Sequence, residues 1–240
     1  MVRLEVVVVF IFVGVAFAQL DPDDIPSEWL PEQFPNPKRN PQACGLGNKY
    51  GYVCDPNRLL TDKERLTLDW LMEGLVKNDT KCPCSVWACE QKKQGYSIAI
   101  ALVKKMKIPD RSRTVLDQAK VFAHYLQSSH WHYGRCEEDI VILYSKDDEV
   151  LQFMAGKTAG AVLTNQVARS IGYHVGGHFR EGGNLPYGLY DLGLLLRDVL
   201  NGNTMYALAP KAEALHGSAG SLTVFISTLI MTVLALFIVS

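Results

Sequence analysis

Six cysteines set the strongest limit on how this 240-residue chain can fold. All lie between two apolar ends, at Cys44, Cys54, Cys82, Cys84, Cys89 and Cys136. In a secreted chain an even number of cysteines predicts a disulfide framework, here three bridges. Cys44 and Cys54 are predicted to close one local loop, whereas the other four allow three connectivities that spacing does not distinguish. A zinc site at Cys82, Cys84 and Cys89 is disfavoured, because the spacing lacks the C-x2-C knuckles of zinc ribbons.

The beginning of the chain predicts secretion. An apolar run, residues 6–18, follows the basic residue Arg3 and closes in Ala16-Phe17-Ala18. This pattern is typical of a signal peptide cleaved after Ala18, and the run is too short to span a bilayer comfortably. The cysteine-containing part of the chain is therefore expected outside the cell, in an oxidising compartment.

The uncharged residues 221–240 predict attachment to the plasma membrane. At ~1.5 Å per residue, a helix of this length spans the hydrocarbon core of a bilayer. Two interpretations remain open. The segment is a transmembrane helix, or it is the removed signal of a glycosylphosphatidylinositol anchor, for which the small residues 217–221 supply an attachment site.

Composition divides the chain into five segments. Residues 1–18 are the signal peptide, 19–43 a proline-rich extended leader, 44–200 an extracellular domain, 201–220 a stalk and 221–240 the membrane segment. Trp29 and Phe34 are expected to hold the leader against the domain surface. The net charge of −1, without a basic stripe, argues against nucleic acid as a partner. Asn78 begins a glycosylation sequon and is expected in a surface loop.

Four helices are predicted from caps and apolar spacing. Thr61 and Glu64 form a capping box for a helix that ends near residue 77. A second helix covers residues 114–127, a third begins at Thr164 and ends at Gly176-Gly177, and a fourth covers 187–200.

Two apolar runs without polar alternation, residues 97–103 and 139–145, predict strands that are buried on both faces. Residues 150–155 are predicted to return antiparallel after the polar turn 146–149. Helices interspersed with these strands predict an α/β fold, in which a small mixed β-sheet is covered by helices.

Polar residues in the predicted loops are the candidate metal ligands. Asp55 precedes the first helix, Asp147 and Asp148 lie in the hairpin turn, and Asn165 begins the third helix. If these loops meet at one edge of the sheet, their oxygens could bind Ca²⁺. On spacing alone, the interpretation as ordinary turn residues is favoured. The sequence carries no nucleophile motif, so no catalytic residue is assigned and no cofactor is required.

Five ordered stretches resemble the TPM domain and cover about residues 50–200. The first resembles its opening of a tyrosine, a short strand, an acidic loop and a capped helix: YGYVCDPNRLLTDKERLTLDWLMEGL. The others are YSIAIALV, AKVFAHYLQSSHW, DIVILYSKDDEVLQFMAGKTAGAVLTN and FREGGNLPYGLYDLGLLL. This resemblance implies a TPM-like α/β/α sandwich.

The cysteines and the leader stretch FPNPKRNPQACG resemble a secreted animal branch of these proteins, the modulator of levamisole receptor family of roundworms. Membership implies a membrane-tethered extracellular auxiliary subunit. Such a subunit associates with an acetylcholine-gated cation channel and promotes its gating without catalysis.

Other TPM domains are associated with acid phosphatase activity or metal binding. Their acidic cluster would fall on Asp55, on Asp147 or Asp148, and on position 165, where this chain has Asn. The missing carboxylate would weaken a divalent site, although the carbonyl of Asn165 can still bind Ca²⁺. The alternative function is therefore an extracellular phosphatase or Ca²⁺-binding domain.

Overall fold

The computed structural model describes residues 25–110 and 112–204 of the chain. The predicted signal peptide (1–18), most of the predicted stalk and the predicted membrane segment (221–240) lie outside the described residues. Within the two described ranges, no helix is both long and apolar enough to cross a membrane.

The described residues form a four-stranded mixed sheet in the order β1-β2-β3-β4. Its strands are β1 (Val53–Cys54), β2 (Ser97–Val103), β3 (Asp139–Ser145) and β4 (Val150–Ala155). The first three run parallel, and β4 pairs antiparallel with β3. The predicted α/β fold is confirmed, and β2, β3 and β4 have the bounds of the apolar runs that predict them.

Helices separate and follow these strands. They are α1 (Asp62–Gly74), α2 (Val86–Gln91), α3 (Val115–Tyr125), α4 (Lys157–Gly160), α5 (Asn165–Val175) and α6 (Leu185–Leu200). The Thr61–Glu64 capping box is present, and Thr114 and Thr164 cap α3 and α5. Both α1 and α3 continue into a π-helical turn, Leu75–Asp79 and Leu126–Trp131 respectively. The sequence patterns predicted neither α2 nor α4.

Both faces of β2 and β3 are buried, as the uninterrupted apolar runs predict. Ile98 and Ile100 of β2 belong to a core cluster with residues of α1, α5 and α6. The intervening Ala99 and Ala101 belong to a second cluster with residues of α3 and the N-terminal segment. Because successive side chains of a strand point to opposite faces, β2 contributes to both layers.

The described part of the predicted leader belongs to the core of the domain. Phe34 is 1% exposed and packs edge-on against Trp29 and Phe122. The indole N–H of Trp131 donates a hydrogen bond to the carbonyl of Pro35 at 3.0 Å. The predicted domain boundary at residue 44 is therefore wrong, because these aromatic side chains complete the core on the α3 side of the sheet.

Candidate functional site

Asp55 follows β1 and is a buried carboxylate with partners inside the protein. Its oxygens accept hydrogen bonds from the backbone N–H groups of Leu59 and Leu60, at 2.8 and 2.9 Å. The guanidinium Nη1 of Arg65, also buried, lies 3.8 Å from Oδ2 of Asp55. Burial raises the pKa of the Asp55 carboxyl, while these hydrogen bonds and Arg65 act to lower it. Asp55 thus stabilises the loop ahead of α1, and Arg65 supplies the positive charge beside it.

Asp148 lies in the turn between β3 and β4 and also has protein partners. Its Oδ2 accepts hydrogen bonds from the backbone N–H of Met106, at 2.8 Å, and from the hydroxyl of Ser145, at 2.5 Å. The neighbouring Asp147 has an exposed side chain, and its backbone N–H donates to the carbonyl of Lys104. These contacts join the hairpin turn to the segment that follows β2.

The predicted Ca²⁺ ligands occupy different parts of the fold. Asp55 and Asp148 follow the carboxyl ends of β1 and β3, strands that are separated by β2. Asn165, the first residue of α5, lines a groove beside β4 with Phe153 and Ala155. The two buried or partly buried carboxylates already accept backbone hydrogen bonds. Ca²⁺ binding by these residues stays a prediction.

Three potential metal-ligand atoms of His, Cys, Asp or Glu come together once within the described ranges. The group consists of Cys84, Cys136 and Glu138, whose ligand atoms lie within 4.8 Å of one another. Asp55, Asp147 and Asp148 therefore do not form such a cluster. Because Cys84 and Cys136 are bonded to each other, the group is a disulfide beside a carboxylate and offers no thiolate.

The cysteines pair as Cys44–Cys54, Cys82–Cys89 and Cys84–Cys136. The predicted three disulfides and the predicted local bridge between Cys44 and Cys54 are confirmed. For the other four cysteines, tertiary structure selects one of the three connectivities that the sequence left open. All six sulfurs are consumed, which leaves no cysteine thiolate for the zinc site considered above.

We call residues 81–94, which contain α2, the clamped loop. The Cys82–Cys89 disulfide closes the loop on itself, and Cys84–Cys136 joins it to the segment ahead of β3. Two covalent bridges over so short a segment restrict its conformations strongly.

Besides the two disulfides, hydrogen bonds from Arg135 hold the clamped loop. Its guanidinium donates to the backbone carbonyls of Ala88, Lys92 and Gln94, at 3.3, 3.1 and 3.2 Å. The buried carboxylate of Glu138 in turn accepts the backbone N–H of Arg135 at 2.7 Å. The clamped loop is thus held to the domain by the Cys84–Cys136 disulfide and by the hydrogen bonds of Arg135.

The clamped loop presents two neighbouring apolar side chains to solvent. Val86 is 76% exposed and Trp87 is 69% exposed, and both belong to α2. A rigid exposed tryptophan is well suited to an interface, because it buries a large area and loses little conformational freedom on binding. The sequence reasoning missed this site, although a tryptophan between closely spaced cysteines was a usable signal.

Asn78 is exposed on the π-helical turn that precedes the clamped loop. The third residue of its sequon, Thr80, is buried, and its hydroxyl donates to the carbonyl of Leu75 at 2.6 Å and accepts the N–H of Tyr96 at 2.9 Å. The predicted surface position of Asn78 is therefore confirmed, and its glycosylation stays a prediction.

Similar solved structures are small domains from bacteria. The N-terminal domain of a protein from P. gingivalis, solved by NMR, is 17% identical with a TM-score of 0.50, over 74% of this chain and 94% of that chain. The BA42 protein of Bizionia argentinensis is 16% identical with a TM-score of 0.40, over 65% of this chain and 85% of that chain. At its low identity, the first match supports the fold alone. No curated protein matches the sequence significantly.

A family model gives the more specific result. The model described as modulator of levamisole receptor-1 matches residues 29–149, which is half of the chain. The matched range begins at the buried Trp29, includes the clamped loop and all six cysteines, and ends in the turn between β3 and β4. This chain therefore belongs to the modulator of levamisole receptor-1 family.

Proposed function

We propose that this protein is a membrane-tethered extracellular auxiliary subunit, which associates with an acetylcholine-gated cation channel of the levamisole-receptor type and promotes its gating. The observation that carries the proposal is the family match over residues 29–149. The three disulfides of the domain suit an extracellular location. The apolar residues 221–240 would hold the domain at the plasma membrane.

A tethered domain can act through a weak contact with its channel. Confinement to the same membrane raises the effective concentration of the domain near the channel. The clamped loop supplies the contact in this proposal, with Trp87 as its central side chain. Because the disulfides hold the loop before binding, little conformational entropy is lost when the complex forms.

The proposed role requires no catalysis. Asp55 and Asp148, two of the residues that a TPM-type phosphatase would use, accept hydrogen bonds from neighbouring backbone groups. Hydrolysis of p-nitrophenyl phosphate, measured with and without Ca²⁺ or Mg²⁺, tests the alternative function. We expect no turnover above that of a buffer control. Metal-dependent turnover that disappears in Asp147→Ala, a change at an exposed side chain, would instead support the phosphatase.

Co-expression tests the association. The full chain should co-purify with subunits of an acetylcholine-gated channel and enlarge agonist-evoked currents in oocytes at equal surface expression of the channel. Absence of both effects for every levamisole-type channel tested would refute the proposal.

The substitution Trp87→Ala tests the assigned contact. Truncation of a central interface tryptophan should weaken association about 30-fold or more. Because Trp87 is exposed, the unfolding temperature of the domain should stay nearly unchanged. Co-purification and current amplitude are the readouts.

Trp70→Ala is the matched control, since Trp70 is 76% exposed on α1, outside the clamped loop. It should leave association intact. An equal loss in both variants, or a loss in Trp70→Ala alone, would place the contact elsewhere, while the auxiliary role itself would stand.

A further inference from the structure

Strand β4 forms an open edge of the sheet. Within the described residues it pairs with β3 alone. The backbone N–H of Gly156 donates to the carbonyl of Asp139, which fixes the alternation of hydrogen-bonded pairs along the two strands. Leu151, Phe153 and Ala155 therefore direct their backbone N–H and C=O groups away from β3. Such a row of free groups is a template for another strand.

One of these outward groups is covered by a local side chain. The amide Nε2 of Gln152 donates a hydrogen bond to the carbonyl of Phe153 at 2.7 Å. Among the described hydrogen bonds, the N–H groups of Leu151, Phe153 and Ala155 have no protein acceptor. A flexible glutamine shields the edge in part, and rotation of its side chain would free the carbonyl for a strand partner.

The open edge lies at the bottom of a groove between α3 and α5, in which two cavities of about 590 and 340 Å³ share Lys120, Phe153 and Ala168 in their linings. Lys120 of α3 forms one wall. The other wall includes Ala168 and Gly172, which are one turn apart on α5. Because Ala168 carries only a methyl group and Gly172 has no side chain, there is space beside the strand for an added backbone and its side chains.

The charge of the groove indicates which segment fits. Lys120 on one wall and Arg169 on the other are cations, and the described residues that line the groove include no carboxylate. Arg169 forms no ion pair with any described residue, whereas Lys120 is paired with Asp117 at the surface. A second copy of this edge would bring like charges together, which disfavours pairing between two β4 strands.

We propose that this groove binds an extended segment of a partner protein that carries adjacent acidic side chains. The segment adds to β4 as a fifth strand through backbone hydrogen bonds. Because successive side chains point to opposite faces, two consecutive acidic residues place one carboxylate near Lys120 and the other near Arg169. The groove is separate from the clamped loop and does not depend on the function proposed above.

A designed peptide tests this site with the full chain in detergent. The probe is an end-blocked, fluorescent peptide Thr-Val-Thr-Glu-Glu-Val-Thr-Val, and binding is followed by fluorescence anisotropy at low salt. Lys120→Glu and Arg169→Glu should each weaken binding of this peptide about three- to tenfold. A peptide in which Lys-Lys replaces Glu-Glu should bind each variant more tightly than it binds the wild-type protein. Lys63→Glu, at an exposed position of α1, is the control of equal charge change and should have no effect.

Hydrogen exchange at single-residue resolution tests the backbone geometry. With peptide bound, the amides of Leu151, Phe153 and Ala155 should become protected, whereas Gln152 and Met154 should be protected with and without peptide. Absence of saturable binding, or binding without this alternating protection, would overturn the proposal. Concentration-dependent protection of the three amides in the free protein would also overturn it, because a second copy would then occupy the edge.

Discussion

At the scale of single residues, Asp69 joins α1 to the sheet. Its Oδ1 accepts hydrogen bonds from the backbone N–H groups of Tyr52 and Val53. A Cβ atom at Gly51 would overlap the Asp69 carboxylate, so this close approach depends on glycine. Burial raises the pKa of Asp69, and the two backbone hydrogen bonds act to lower it.

The substitution Asp69→Asn should change how stability depends on pH. Because the native pKa of Asp69 lies above its ordinary value of 3.8, the native state binds the proton more tightly than the unfolded state. The stabilisation that comes from this tighter proton binding is complete below pH 3.8 and is lost as pH rises through the native pKa of Asp69. The unfolding free energy of wild type minus that of Asp69→Asn should therefore decrease between pH ~4 and pH ~7, as measured by guanidinium titration.

Asp117→Asn is a control with the opposite sign. Two hydrogen bonds lower the pKa of the exposed Asp117, the one from the Thr114 hydroxyl more than the one from Lys120. The stabilisation that ionised Asp117 contributes is therefore present above its ordinary pKa of 3.8 and is lost as pH falls through its native pKa. A pH dependence of the same sign in both variants would contradict this account.

At the scale of elements, the clamped loop shows how bridges replace intrinsic helix stability. Helix α2 has six residues, too few to be stable by itself in water. Ser85 caps the helix, and the two disulfides and Arg135 hold it in place. This support explains why α2 forms without the apolar periodicity that predicts the longer helices.

Removal of each bridge should have a different effect on stability. The Cys82–Cys89 bridge spans 7 residues, and the Cys84–Cys136 bridge spans 52. In the chain-entropy model, losing the first costs about 2 kcal/mol of unfolding free energy and losing the second about 4 kcal/mol. Paired Cys→Ser variants compared by guanidinium denaturation measure the difference. If loss of the Cys82–Cys89 bridge lowered the unfolding free energy more than loss of Cys84–Cys136, restriction of the unfolded chain would not be the main source of their stabilisation.

At the scale of the whole molecule, the sheet separates two cores that differ in origin. The cluster with α1, α5 and α6 is built from strands and helices of the chain after residue 51. The cluster with α3 also contains residues of the N-terminal segment. This segment is joined to the residues that follow β2 by a parallel β-bridge between Trp29 and Met106. Truncation within residues 29–43 would therefore expose one face of the domain.

Phe34→Ala measures that dependence. The ring of Phe34 is buried against the rings of Trp29, Phe122 and Trp131, and its loss leaves a cavity, so the unfolding free energy should fall by about 3–5 kcal/mol. Tyr173→Ala, which removes a 92% exposed ring from α5, should change stability by less than about 0.5 kcal/mol. Both variants are measured by the same denaturant titration. If Phe34→Ala lowered the unfolding free energy as little as Tyr173→Ala, the N-terminal segment would not be part of the core.

Local signals in the sequence determined most elements of the fold. The runs 97–103 and 139–145 are apolar throughout because both faces of each strand are buried, and the structure has strands with those bounds. Thr61 and Thr164 marked helix starts because a threonine hydroxyl satisfies a free N–H of the first turn. The even number of cysteines predicted three bridges, the ordered TPM-like stretches predicted the fold, and the cysteines together with the leader stretch predicted the family.

Only the tertiary structure decided which distant groups meet. Cysteine connectivity depends on which chain segments pack together, and the contact of Cys84 with Cys136 requires the clamped loop to lie against the start of β3. The sequence placed Phe34 only against the domain surface, since full burial of its ring depends on a helix that comes much later in the chain. The partner of Asp148 likewise could not be read from the sequence, because the backbone N–H of Met106, 42 residues away, reaches its carboxylate only when the chain folds.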